Sequence, residues 1–257
     1  MRLQGKKALV TGTSTGIGRE IAKWLTREGA SVAGVDWDES GNQETARIIQ
    51  SAKGSFQALT ADVSKGSDVE RVFAAAGALD ILVNNAASAK GDGAISQITE
   101  EAWDEVLAIC LKSVFLCTKA ALKTMVPKRS GAIVNLSSVN ALSGINLSAY
   151  TAAKGGILSL TRLIAAHYGG YGIRANAICP GTILSETSDE YYNAHPDIKA
   201  ELTALYPAGK FGKVEDIAAA VVYLVSDEST FINGTTLTID GALSAVHRLS
   251  VATPKLP

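Results

Sequence analysis

Seven apolar runs of strand length recur along the chain, at residues 8–10, 31–35, 56–60, 81–83, 132–136, 174–178 and 236–239, and helix-length segments separate most of them. Their apolarity is continuous rather than alternating. That pattern marks strands buried on both faces, and such strands build a parallel sheet with helices on each side. The expected fold is α/β, a single doubly wound domain over residues 1–257. In sheets of this kind ligands collect beyond the carboxyl ends of the strands, where Gly12, Asp36, Asp62, Asn84, Ser138 and Pro180 all fall.

The first of these ends carries Thr11-Gly12-Thr13-Ser14-Thr15-Gly16-Ile17-Gly18, placed directly after Ala8-Leu9-Val10 and directly before a helix-like stretch. Three glycines let the backbone turn tightly and approach a pyrophosphate, whose charge meets free N–H groups at the positive end of the helix. The second apolar run ends in Asp36, an acid placed to accept from both ribose hydroxyls of an adenosine. A 2′-phosphate would meet like charge there, with no basic residue between Gly12 and Gly18, so the expected cofactor is NAD. The same turn also fits Gly-x-Ser-x-Gly, the nucleophile elbow of a serine hydrolase, with Ser14 needing His167, His195 or His247 as partner. Position counts against it, because such elbows come well into the sheet rather than after its first strand.

Composition narrows the partners. With 47% hydrophobic residues, 19% charged and a net charge of -1, the 257-residue chain offers a large core and no electrostatic reason to expect nucleic acid or a membrane surface. No apolar run approaches the roughly 20 residues of a membrane helix, and no basic-then-apolar leader opens the chain, so a cytoplasmic location is expected. Cys110, Cys117 and Cys179 do not pair evenly, and the three histidines lie far apart, which leaves no metal-ligand spacing. A small soluble substrate is the expected partner.

Tyr150 and Lys154 stand four apart among strong helix formers, so both side chains project from one helix face. A neighbouring ammonium, together with the positive ring of an oxidised nicotinamide, stabilises phenolate and makes Tyr150 a usable base; in reverse the phenol donates its proton to a forming alkoxide. Lys154 would also anchor the nicotinamide ribose. In isolation the pair would read as a packed tyrosine with a snorkelling lysine. Upstream, however, residues 131–138 read as a strand ending in Ser137-Ser138, able to hold a substrate oxygen beside the phenol.

From Lys6 to about Ala242 the sequence resembles the short-chain dehydrogenase/reductase family. The turn, Asp62-Val63, Asn84-Asn85-Ala86, Ser138, Tyr150-x-x-x-Lys154, Pro180-Gly181 and Asp240-Gly241 stand in the family's order. The resemblance implies a Rossmann fold and an NAD(P)-dependent oxidoreductase with Ser138, Tyr150 and Lys154 as catalytic residues. It implies cofactor contacts from Gly12, Thr15, Gly16, Ile17 and Gly18 in the turn. Asp62 and Val63 would meet the adenine, Asn84 and Ala86 would lie by the ribose, and Pro180, Gly181, Ile183 and Ser185 would lie near the nicotinamide. It further implies a homo-oligomer, commonly a tetramer joined through helices over 101–125 and 150–168, and a substrate lid over 185–212, whose Tyr191, Tyr192, His195 and Tyr206 are candidates to contact a sugar or polyol.

Three positions depart from the family pattern. Cys110 stands where an asparagine usually holds a proton-relay water; it reads as a small buried hydrophobe, leaving that relay open. Ser138 lies one residue closer to Tyr150 than usual, so counting back would select Ser137, whereas strand register selects Ser138. Ala87 replaces a glycine. The expected reaction is hydride transfer between NAD and a secondary alcohol or ketone; the alternatives are an NADP-linked carbonyl reductase and a cofactor-binding protein with little turnover. The tail over 243–257 extends past the last strand, where it would cross a subunit interface or stay mobile.

Overall fold

The computed structural model describes residues 1–245; the tail beyond Ala245 and His247 lie outside the described residues. The chain alternates β1 (Lys7–Thr11), α1 (Gly16–Arg27), β2 (Ser31–Asp36), α2 (Glu39–Ser51), β3 (Ser55–Thr60), α3 (Gly66–Ala76) and β4 (Ile81–Asn84). It continues through α4 (Glu100–Leu107), α5 (Ser113–Lys128), β5 (Gly131–Leu136), α6 (Ser148–Tyr168) and β6 (Ile173–Pro180). After β7 (Ile183–Leu184), α7 (Glu186–Ala194), α8 (Pro196–Thr203), β8 (Gly212–Lys213) and α9 (Val214–Val225), β9 (Thr236–Ile239) closes the sheet.

Among the described residues the main sheet runs β3-β2-β1-β4-β5-β6-β9, with every pairing parallel. All seven apolar runs read from sequence are its strands. Successive side chains leave opposite faces of a strand, and here both sets are apolar. Ala8, Val10, Val32, Ile81, Val83 and Val134 pack with α1 and α9 through Ile21, Leu25, Val221 and Val222. Leu9, Ala33, Val35, Leu82 and Ile133 pack on the other face against Val69, Val72, Cys117, Met125 and Ile164. The strand order turns outward from β1 and β4, and a crevice opens at that switch above the carboxyl ends.

Two features have no counterpart in the sequence reading. β7 and β8 form a separate two-residue ribbon that ties the start of the 185–212 segment to its end. Between α4 and α5 the helix widens into a π-helical turn, Ala108–Lys112, centred on Cys110. One inserted residue per turn leaves no periodic signal long enough to read, and such turns concentrate at functional sites.

Candidate active site

The glycine turn is built so that nothing but glycine fits. Gly12 has φ +75°, and a Cβ there would stand 2.8 Å from Asn85 Nδ2; a Cβ on Gly18 would stand 1.9 Å from the Gly12 carbonyl oxygen. The first turn of α1 is thereby pressed against the end of β1. Thr11 Oγ1 accepts from the N–H groups of Asn85 and Ala86, each at 3.0 Å, and Asn85 Nδ2 donates back to the Thr11 and Gly12 carbonyls. Thr15 precedes α1 without capping it through its side chain, and Thr15, Gly16, Ile17 and Gly18 all line a cleft of about 660 Å³. The N–H groups of that first turn are the kind left without intrahelical partners.

Asp36 closes one side of the cleft. It is 6% exposed, and its two carboxylate oxygens accept from Ser14 N at 2.8 Å and Asp38 N at 3.0 Å, which fixes the carboxylate beside the turn. Trp37, 81% exposed, and Asp62, Val63 and Ser64 line the same end. Partial burial alone would raise the Asp62 carboxyl, but the Ser64 hydroxyl and N–H and the Lys65 ammonium outweigh it and hold it below the usual carboxylate range. Arg19, the first basic residue after the turn, is committed elsewhere. Its Nη1 pairs with Glu186 of α7 at 2.8 Å, its Nε donates to Thr45 Oγ1 at 3.0 Å, and its Nη2 donates to the Ser14 carbonyl.

At the other end of the cleft stand Ser138, Tyr150 and Lys154. Lys154 is 2% exposed; its Nζ donates to the Leu136 carbonyl at 2.7 Å and lies 5.2 Å from the centre of the Tyr150 ring. Ser138 Oγ lies 3.2 Å from both Asn140 N and Asn140 Oδ1. Pro180, Gly181, Ile183 and Ser185 complete this wall. Cys179 is buried behind it, and burial pushes its thiol up despite the neighbouring Ser137 hydroxyl.

Cys110 is fully buried and does not line the cleft, yet it is more than an apolar filler. Its thiol donates to the Ser88 carbonyl at 3.1 Å, and its sulfur accepts from Ser88 N at 3.4 Å, so it fastens the π-helical turn to the segment after β4. An asparagine amide offers the same donor and acceptor pair. Ala87 is not among the described non-glycine residues with positive φ, so the missing glycine carries no backbone strain.

Several residues expected at the site stand away from the cleft. Asn84 does not line the cleft. As the last residue of β4 it points into the core, where Nδ2 donates to Asn135 Oδ1 at 2.8 Å and Oδ1 has no partner. Its neighbour Asn85, past the strand end, lines the cleft instead. Tyr191, Tyr192, His195 and Tyr206 do not line it either. Tyr191 stacks on His195, Tyr192 and Tyr206 pack on Phe211, and the Tyr206 hydroxyl is held by both Thr182 N and Thr182 Oγ1. Among the described residues no histidine hydrogen-bonds Ser14; His195 Nδ1 pairs with the Tyr191 carbonyl, and His247, the third candidate partner, lies outside the described residues. Trp37, Ser64, Lys90 and Glu105 line the cleft without having been read from sequence. An aromatic directly after the strand-end acid was the one available signal, for Trp37.

Residues 12–244 match the family described as enoyl-(acyl carrier protein) reductase. The chain is 39% identical to 2-(S)-hydroxypropyl-CoM dehydrogenase 3 of Xanthobacter autotrophicus, over 95% of this chain and 99% of that one. It is 38% identical to D-threitol dehydrogenase of Mycolicibacterium smegmatis, over 93% of each. The chain belongs to the short-chain dehydrogenase/reductase family. It superposes with TM-score 0.88 on a putative 2-deoxy-D-gluconate 3-dehydrogenase of Agrobacterium tumefaciens with bound NADP, at 36% identity over 95% of this chain and 98% of the other. Like its relatives, this short-chain dehydrogenase/reductase is an oxidoreductase that acts on CH–OH groups with a nicotinamide cofactor. The residues present fit such a dinucleotide: a turn at Gly12 and Gly18 packed too closely against Asn85 and the end of β1 for any Cβ, a helix N-terminus for the pyrophosphate, and the carboxylate groups of Asp36 and Asp62 at one end. No helix of the described residues is long and apolar enough to cross a membrane.

Proposed function

We propose that this protein is an NAD-dependent dehydrogenase that interconverts a secondary alcohol and its ketone on a small hydroxylated molecule such as a sugar, polyol or cyclic alcohol. One observation carries the reading: the glycine turn, Asp36 and the Ser138, Tyr150 and Lys154 side chains line one cleft. The nicotinamide, when bound, supplies the hydride acceptor. Gly12, Thr15, Gly16, Ile17 and Gly18 hold the pyrophosphate, Asp36 accepts from the adenosine ribose hydroxyls, and Asp62, Val63 and Ala86 flank the adenosine. Pro180, Gly181, Ile183 and Ser185 seat the carboxamide end. Tyr150 takes the proton of the substrate hydroxyl during oxidation and returns it during reduction, Ser138 donates to the same oxygen, and Lys154 holds the ribose beside the phenol.

NAD is favoured over NADP because Asp36 would face a 2′-phosphate directly, while the Arg19 fork is already occupied by Glu186, Thr45 and Ser14. The NADP on the Agrobacterium neighbour supports the alternative, an NADP-linked carbonyl reductase. A hydroxylated substrate is supported by the relatives named for threitol, gluconate and hydroxypropyl groups. We further propose one domain that carries both cofactor and substrate, in a homotetramer joined through α4, α5 and α6. A groove between these helices, lined by Leu107, Leu111, Phe115, Leu160 and Leu163, leaves Phe115 50% and Leu163 49% exposed. Three buried free thiols suit a reducing cytoplasm.

The test is NADH formation across a panel of sugars, polyols and cyclic alcohols, with Tyr150→Phe in parallel. Turnover that vanishes in the variant is the expected result; turnover that survives it overturns the assignment of Tyr150.

A further inference from the structure

Helix α6 carries both Tyr150 and Lys154, and its start is unusual. Leu147 precedes it at φ +85° and offers no capping side chain. A helix start leaves its first N–H groups without intrahelical partners, and buried ones must be satisfied from elsewhere. Here the N–H groups of residues 148–151 each have an identified acceptor. Thr151 N donates to the Leu147 carbonyl at 3.1 Å, as the first helical bond. The three before it are all met by Asp92 and Gly93, from the segment between β4 and α4. Ser148 N donates to the Gly93 carbonyl at 3.1 Å, and Ser148 Oγ donates to it at 2.8 Å. Ala149 N donates to Asp92 Oδ1 at 3.2 Å, and Tyr150 N donates to Asp92 Oδ2 at 2.8 Å. Gly93 N also donates to Asp92 Oδ1, at 2.8 Å, so the carboxylate is held in place from its own side.

The segment that bears Asp92 is anchored along its whole length to the rest of the cleft. Asn85 and Ala86 hang from Thr11, Ser88 is fastened to Cys110, and Asp92 reaches the main chain of Tyr150. We infer that Asp92 is a positioning residue: a helix cap supplied from 58 residues away that fixes the start of α6, and with it the phenol, against the glycine turn and Ser138. The inference rests on the proposed role of Tyr150. A charged acceptor on two N–H groups is the strong form of a cap. Its loss lets the first turn of α6 fray or shift, and a shift on the scale of an ångström at a reacting group is enough to cost turnover heavily. The cofactor cradle, which hangs from Thr11 and Asn85, does not depend on it.

The experiment compares Asp92→Ala and Asp92→Asn with the parent enzyme, reading kcat, NADH dissociation constant and thermal midpoint, with Tyr150→Phe as reference. The alanine variant is expected to lose at least tenfold in kcat with the NADH constant within about twofold. Asparagine keeps one oxygen for one of the two N–H groups and should fall between. Wild-type kcat in the alanine variant overturns the inference, as does a loss of kcat and NADH binding in parallel with a collapsed thermal midpoint in the asparagine variant. If alanine does not fold, the asparagine variant alone decides by the same split. An active Tyr150→Phe would sink the proposed reaction itself; an inactive Tyr150→Phe beside a fully active Asp92→Ala would sink only the role of Asp92.

Discussion

The Ser137 hydroxyl donates to the main-chain carbonyl of Lys154 at 2.8 Å, so one of two adjacent serines is spent on tying the end of β5 to α6. Among the described residues Ser138 Oγ hydrogen-bonds only Asn140, and it stands at the cleft wall with Tyr150. Both serines line the cleft, but the hydroxyl of Ser137 is already engaged, which supports the proposal that Ser138 serves the substrate oxygen. Ser138→Ala should lower kcat on the order of a hundredfold, the usual cost of removing a donor aimed at a reacting oxygen. Ser137→Ala should instead cost about 1 kcal/mol of stability, the net worth of one hydrogen bond, with kcat within about threefold. Steady-state kinetics and thermal melts on the two variants separate these outcomes, and equal or reversed effects on kcat would overturn the assignment.

Cofactor choice turns on Asp36. Its oxygens are held by Ser14 N and Asp38 N, so the carboxylate cannot swing away to admit a phosphate without breaking both bonds. Titration by fluorescence should show NADH bound more tightly than NADPH. Asp36→Ala should weaken NADH about ten- to a hundredfold, as expected when hydrogen bonds to a charged group worth about 1.5–3 kcal/mol are lost, and should narrow the preference over NADPH. A parent enzyme that prefers NADPH would refute this use of Asp36.

The inner strands were legible because they are apolar on both faces, as a two-sided parallel sheet requires; Leu9 and Val10 go to opposite cores. The glycine turn was legible because sterics leave Gly12 and Gly18 no substitute. Asn84 was misplaced because one residue of register decides between core and cleft at a strand end, and no pattern in Asn84-Asn85 says where β4 stops. Tyr191, Tyr192 and His195 were legible as an aromatic cluster in the 185–212 segment, but not which way it turns: they pack on one another and on Phe211. Asp92 left no trace, since a cap borrowed from a distant loop has no local spacing to read.

Cys110 is the departure that most invites a loss of function, and its contacts argue against one. Sulfur bonds Ser88 N and O as an amide would, only longer and weaker. Cys110→Asn should therefore keep or raise kcat, while Cys110→Ala, which leaves both Ser88 groups unanswered, should cost about 1–3 kcal/mol of stability. Kinetics and melts of both variants provide the check. A large loss of turnover in Cys110→Asn would mean that the thiol does something an amide cannot.

The groove along α5 and α6 predicts assembly. Gly156 lies so close to the π-helical turn that a Cβ would stand 2.9 Å from Leu111 Cδ2, which draws the helices together and lets Phe115, Leu160 and Leu163 form one apolar strip. Single apolar side chains are ordinary on a surface, but a contiguous strip of this kind marks an interaction site, and in the proposed tetramer a second copy of the same strip would cover it by two-fold symmetry. Light scattering at micromolar concentration should give a tetramer. Leu163→Arg would place four like charges in the proposed seams and should reduce the mass to dimer or monomer, with the NADH dissociation constant little changed because the cleft lies on the other side of α6 from this strip. A parent chain that runs as a monomer would remove the second copy as the occupant of the groove.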